Sequence, residues 1–508
     1  MPDHISVTFL GTAAGKPSQT RNVSSLVVKL DSKLWVFDAG EGTQHQLMDP
    51  RCKLQMSKIS RIFVTHMHGD HINGLPGLLC TISAGEGSVL PGQEDPRLAE
   101  SKEIPPTHIY GPRGLRLFLR TALALSYSVL TGPYAVHELL WPDEEPSATC
   151  VEGELHPSER EGRDVRMGKE GDWREFVTEE EGGGVRVSAA PIEHSVRCLG
   201  YLLTESARPL PLTPSLYVPH LRHPLNAAAL AAPPYSFKNP LQLLSVLQTA
   251  REPITLEDGT VLRPPGMDPK GGRRIAVLGD AFDATPMLPL IRSSSSSTAA
   301  PGGIDESVRR LFGDGEGEGE AGQGGEDYLD LLIHESTNAF LPTLDESQAP
   351  SSSPSSSNPS KPDLTLEAVT ALARSHGHST PQVAGSFARQ ARARRLVLNH
   401  LSTKYPDPTS HRLVPLPAEE GEERDKVRQT RDKWSKMLSE IERQAGEALG
   451  GAEGLDGEAE GEAWRVRTAR DFWEVEVVRR DKLGGAGGGA EAKAKKAKGG
   501  EGGKGKKQ

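Results

Sequence analysis

The chain has 508 residues, a formal net charge of −10, 36% hydrophobic and 5% aromatic residues, 54 glycines and 39 prolines. This is enough apolar material for a sizeable core diluted by loops and unpacked segments, and the acidic total excludes bulk electrostatic attraction to nucleic acid while leaving local basic patches open. Four cysteines without a CxxC pair predict neither a disulfide framework nor a zinc knuckle, MPDHISVTFLGT lacks the regions of a signal peptide, and no stretch reaches the about 18 apolar residues of a membrane span.

Strand patterns open the chain: ISVTFLG (5–11), SSLVVKL (24–30) and LWVFDAG (34–40) are apolar runs closed by turn residues. RIFVT (61–65) is a further strand and delivers HMHGDH (66–71) at its end, after which GLPGLLCTI (74–82) reads as a helix. THIYGP (107–112) and RGLRLFLRTALAL (113–125) read as strand then helix, the alternation of layered α/β architecture. Residues 83–106 and 142–183 are variable, Gly-rich and charged, so no regular element is predicted there.

Order returns with VRVSAAPIEHS (185–195), RRIAVLGD (273–280), YLDLLIHES (328–336) and RRLVLNHLS (394–402), each an apolar strand ending in His or Asp. Residues 293–326 and 347–362 read as disordered insertions, which surface loops tolerate because closure entropy grows slowly with length. The prediction is one domain over 1–415 with insertions, then a 416–482 extension with a charged helix (423–444) and a final strand (469–478) returning to the core. Residues 483–508 form a Lys-rich tail expected to be disordered.

In HMHGDH, alternate residues share a face of an extended chain, so His66 and His68 reach one ion, while a turn at Gly69 redirects Asp70 and His71 toward another. Imidazole with carboxylate suits zinc or a similar divalent metal; the competing reading is a histidine-rich surface loop. His194, Asp280, His334, Glu335 and His400 all stand at strand ends, where open α/β sheets place their ligands. Asp38, ending its own strand, suits a partner that orients a ligand ring.

THMHGDH resembles the signature of metallo-β-lactamase-like hydrolases. LGTAAGKPSQTRNVSSLVV (10–28), FDAGEGTQHQL (37–47), GLPGLL (74–79), IYGPRGL (109–115), IEHSVRCLGY (192–201), LLIHEST (331–337), GHSTPQVA (377–384) and LVLNHLSTKY (396–405) follow the order of ribonuclease Z, and the length resembles its short form. The resemblance implies a four-layer αβ/βα sandwich and a zinc-dependent endonuclease that removes the 3′ trailer of precursor tRNA. It implies two zinc ions per subunit, one on His66, His68 and His194, the other on Asp70, His71 and His400, with Asp280 bridging. Asp70 takes the place of the family's proton acceptor.

His378 is the candidate acid for the leaving oxygen, with Glu335 as its carboxylate partner; the alternative is a capping turn before the helix that Thr380 and Pro381 predict. Arg21 and Asn22 in PSQTRN (17–22) match the loop linked to reading the RNA 3′ end, but Gln19 stands where Lys is usual. Residues 205–255 correspond to the family's tRNA-gripping arm, where Arg222 and Lys238 lie among aromatics as candidate RNA contacts. A homodimer in the nucleus or cytosol, without membrane attachment, is the further implication. A phosphodiesterase or esterase on small substrates, and a non-catalytic RNA-binding scaffold, are the competing functions.

Overall fold

A computed structural model describes residues 1–83, 104–150, 153–250, 252–268, 271–293, 329–345, 348, 365–418, 420–450 and 464–479. The expected Lys-rich tail and, except for Ser293 and Gln348, the two expected disordered insertions lie outside these residues. Gln348 departs from its expectation: it is buried, and its amide bonds both Ala339 O and Leu341 N.

The first-half strands are β1 (Ile5–Gly11), β2 (Ser25–Leu30), β3 (Lys33–Phe37), β4 (Ile59–Phe63), β5 (Thr107–Pro112), β6 (Tyr134–Leu140), β7 (Glu159–Arg160), β8 (Asp164–Arg166) and β9 (Trp173–Val177). They are followed by β10 (Val185–Ile192), β11 (Cys198–Glu205), β12 (Ile254–Thr255), β13 (Val261–Leu262), β14 (Arg274–Leu278), β15 (Leu331–Glu335), β16 (Leu396–Asn399), β17 (Val466–Thr468) and β18 (Glu474–Glu476). One sheet runs β18-β1-β2-β3-β4-β5-β6-β7, with β8 also on β6; the other runs β17-β16-β15-β14-β11-β10-β9.

Alternating side chains sort the core into layers. Phe63 in β4 and Ile333 in β15 face between the sheets, with Phe9, Trp35, Phe37, Tyr110, Trp173 and Tyr201. Phe63 stacks on Phe37 at 4.8 Å and on Tyr110 at 5.2 Å, geometry that favours aromatic pairs. Ile62 and Val64 turn outward onto the helices Leu75–Ile82 and Leu115–Leu125, and Leu332 and Leu398 turn outward onto Pro381–Gln390 and Glu422–Leu449. The result is the expected helix–sheet–sheet–helix order.

Three features differ from the sequence reading. Residues 142–183, expected to be irregular, form β7, β8 and β9 and the helix Glu179–Gly182, because Trp173 and Phe176 anchor strands too short to show a period. The expected arm, 205–255, continues into the β12–β13 hairpin and closes by pairing Leu210 with Gly266 and Arg208 with Asp268. It carries its own small core of Leu221, Leu230, Leu243, Leu247, Leu256 and Leu262. Finally, β18 pairs with β1, as expected of the final strand over 469–478, but β17 before it was not expected: it pairs with β16, so the last strands extend both sheets and the core runs past 415.

Candidate metal centre

The loops at the carboxyl ends of β4, β10, β14 and β16 converge at one end of the sandwich. Past β4 the chain stays extended to His68, then turns into the short helix Gly69–Ile72, which reverses the direction of Asp70 and His71 as the sequence predicts. His66 is fully buried, and Asp280 and His400 nearly so. His400 and Asp38 have left-handed backbones, φ 53° and 56°, conformations that Asp and His tolerate better than most residues and that recur at functional sites.

The donor atoms fall into two groups. His66 Nε2 and His194 Nε2 lie 3.1 and 3.2 Å from His68 Nδ1. In the second group, His400 Nε2 is 3.3 Å from His71 Nε2 and 3.2 Å from Asp70 Oδ2. Asp280 spans the two: Oδ1 is 3.4 Å from His71 Nε2, and Oδ2 is 3.3 Å from His400 Nε2, 3.8 Å from His66 Nε2 and 3.9 Å from His194 Nε2. Ligands about 2.0–2.1 Å from one tetrahedral ion stand about 3.3 Å apart, so this spacing fits zinc without rearrangement. All seven predicted ligand residues are therefore brought together, in the predicted grouping.

The rings are held from behind. Asp38 Oδ2 accepts from His71 Nδ1 at 2.7 Å, while its Oδ1 accepts from Thr65 N at 2.7 Å. Thr65 Oγ1 lies 3.0 Å from His66 Nδ1, and Thr337 Oγ1 lies 3.1 Å from His400 Nδ1. The carbonyl of Gly377 accepts from His194 Nδ1 at 2.7 Å; Gly377 has φ 83°, and a Cβ there would stand 2.5 Å from that same nitrogen. Each contact fixes which nitrogen faces the metal. The Asp38 role follows the sequence reading, whereas Thr65, Thr337, Gly377 and Gly15, whose N–H reaches Asp70 Oδ2 at 2.8 Å, were not singled out.

Burial lowers His66 well below the usual imidazole range, reinforced by the neighbouring His71. Burial works against charge on His71 too, but Asp280 and Asp38 overcome it and raise that ring. His378 Nδ1 is 3.0 Å from Glu335 Oε1 and 3.8 Å from Asp280 Oδ2. Against the opposing effect of burial, Glu335, Asp280 and Asp70 raise His378 to about 9. Glu335 is buried and fixed by Ala281 N, Thr337 N and the Thr337 hydroxyl. Thr380 occupies the expected N-cap position before Pro381, though its hydroxyl makes no capping bond. His334 instead packs its ring on Phe387 at 5.6 Å, in the outer layer.

The RNA candidates divide. Arg21 is fully buried: its guanidinium bonds Tyr405 O, Thr12 Oγ1 and Ala469 O, which removes it from the RNA-contact reading. A sequence shows the charge but not that it closes a loop from within. Asn22 is similarly committed, through Nδ2 to Glu41 O and through its N–H to Asp471. Arg222 and Lys238 are exposed on the arm, where the Tyr235 and Phe237 rings lie 5.3 Å apart. Among the described residues no helix is long and apolar enough to cross a membrane.

Two packed mixed sheets carrying this donor cluster at one end define a metallo-β-lactamase-fold metallohydrolase. The family model for anti-Pycsar protein Apyc1 matches residues 5–85. Zinc phosphodiesterase ELAC protein 1 of Bos taurus is 33% identical over 417 residues, covering 79% of this chain and 87% of that protein. Ribonuclease BN of Cronobacter sakazakii is 30% identical over 418 residues, covering 81% and 93%. The crystal structure of human tRNase Z, short form (ELAC1), is 24% identical with TM-score 0.46 and covers 93% of this chain and 99% of that one. The chain belongs to the family of zinc phosphodiesterase ELAC protein 1 and ribonuclease BN, the ribonuclease Z-like group of this fold.

Proposed function

We propose that the protein is a zinc-dependent endoribonuclease that removes the 3′ trailer of precursor tRNA, leaving a 3′-hydroxyl on the tRNA and a 5′-phosphate on the trailer. The observation that carries this reading is the donor set: seven side chains in two groups joined by Asp280, within a ribonuclease Z-like chain. His66, His68 and His194 would hold one zinc, Asp70, His71 and His400 the other, and Asp280 both. When bound, the pair supplies the positive charge that stabilises the attacking and leaving oxygens of an in-line displacement.

The chain's own groups supply the proton handling. Asp70, with Oδ2 engaged by Gly15 N–H and near His400, orients the attacking water and takes up its proton. Glu335 holds His378 at Nδ1 and favours its protonated form, leaving Nε2 to give a proton to the 3′-oxygen as the P–O3′ bond breaks. Arg222 and Lys238 on the arm meet RNA phosphates distant from the cut. The proposal includes a homodimer in which one subunit's arm serves the other's centre, a nuclear or cytosolic location, and the catalytic core and arm as the units of the chain.

Metal analysis together with parallel assays on precursor tRNA and bis(p-nitrophenyl) phosphate tests this reading. Two zinc per chain and cleavage of both substrates are expected. Hydrolysis of the small diester with precursor tRNA left intact would assign the centre to small substrates, and a zinc-free protein that still binds tRNA would assign it to a scaffold.

A further inference from the structure

The loop between β1 and β2 touches the centre at its tip and the C-terminal segment at its base. At the tip, Gly15 donates to Asp70 Oδ2 at 2.8 Å, the oxygen that also faces His400. At the base, Thr12 N and Ala13 N both donate to Asn22 O, closing the loop on itself. Leu401, directly after His400, donates to Thr12 O at 2.8 Å and accepts from Ala14 N at 3.0 Å. The loop is thus in register with both Asp70 and the His400 strand end.

What fixes the base is a carboxylate about 450 residues away in the chain. The Asp471 side chain is 2% exposed, and its two oxygens engage both ends of the loop. Oδ1 accepts from Thr12 Oγ1 at 2.9 Å; Oδ2 accepts from Asn22 N at 2.7 Å and from Gln46 Nε2 at 3.1 Å. Arg412 Nη2 stands 3.8 Å from Oδ2, and buried Arg21 ties Thr12 Oγ1 to Ala469 O. A buried carboxylate with this many donors is costly to disturb, since each donor loses its acceptor together.

We infer that Asp471 is a positioning residue of the metal centre, acting through the Thr12–Asn22 loop to hold the Gly15 N–H against the Asp70 carboxylate. The segment that supplies it adds no group to the reaction; it sets where Asp70 stands relative to His400. The inference uses the proposed function only for the place of Asp70 beside the metal, and it is independent of RNA. It explains why a strand added at the very edge of the first sheet, β18, is preceded by a residue buried against the β1–β2 loop.

The test is a double-mutant cycle on the zinc-loaded full chain, with bis(p-nitrophenyl) phosphate as substrate, joined to the visible spectrum of the cobalt-loaded protein. Asp471→Asn is expected to lower kcat about tenfold, the order expected for a hydrogen bond to a charged group, with KM and zinc content unchanged. Gly15→Pro, which has no N–H and cannot adopt the φ of 70° found there, should lose about as much; Gly15→Asn, which keeps the donor and tolerates that backbone, should stay near wild type. In the Gly15→Pro background, Asp471→Asn should do nothing more, and both variants should shift the cobalt spectrum alike. Losses that multiply in the double variant, or a cobalt spectrum unchanged by Asp471→Asn, would overturn the inference. If Asp471→Asn does not melt cooperatively, Thr12→Val, which removes only the hydroxyl between Asp471 and Arg21, takes its place with the same criteria. A wild type inactive on every phosphodiester would reject the proposed function, while the cobalt spectra would still decide the positioning role.

Discussion

The metal centre and the arm are built on opposite plans. Donor side chains of the centre come from four strand ends in two sheets, and four of the five rings have a fixed partner behind them: Thr65 for His66, Asp38 for His71, Thr337 for His400, Gly377 for His194. The arm is one excursion between β11 and β14, around six leucines, with Arg222, Lys238 and Tyr235 left in solvent. A centre needs donors fixed to within a fraction of an ångström, so it is placed where two sheets constrain it. An arm with the proposed role of meeting a phosphate backbone would need reach and charge rather than exact placement.

The largest expected effect lies in the centre. Asp280→Ala removes the carboxylate that stands near both donor groups, so it should lose bound zinc by metal analysis and at least about a thousandfold in turnover on any phosphodiester. A fully metallated, active variant would refute the bridging assignment. Next comes His378→Ala, expected to keep zinc and tRNA binding but to slow single-turnover cleavage by about 10²- to 10⁴-fold, as for loss of a general acid. Unchanged turnover would remove His378 from the reaction.

Asp38→Asn should weaken zinc affinity by about 10- to 100-fold in competition with a chelator, the usual cost of losing a carboxylate behind a ligand histidine. If affinity holds, the ring is fixed by packing alone and the contrast with the arm softens. The smallest effect belongs to the arm: Arg222→Ala with Lys238→Ala should weaken tRNA binding several-fold and flatten its salt dependence by roughly two charges, leaving the small diester untouched. Equal losses on both substrates would show that the arm supports the fold rather than the RNA.

The contrast also explains what the sequence could reveal. Chemistry dictates residue type at the centre, so the seven donors, Asp38 and the His378–Glu335 pair were legible as motifs, and alternating apolar runs marked the strands that carry them. Contributions made by the backbone carry no side-chain signal: the Gly377 carbonyl and the Gly15 N–H became visible only in three dimensions. Arg21 was misread because charge in a sequence says nothing of burial, and β7 to β9 were missed because two- to five-residue strands are too short to show a period. Asp471 was unreadable for a third reason, since its partners lie at the other end of the chain.

The reaction proposed for this centre is metal-dependent hydrolysis of precursor tRNA at one place. Incubating 5′-end-labelled precursor tRNA with the protein, with and without a chelator, and mapping the product tests it most directly. A single cut just after the discriminator nucleotide is expected, with a 3′-hydroxyl on the labelled fragment, loss of the cut with chelator and its return with zinc. Cleavage that persists in chelator, or scatters along the RNA, would contradict it.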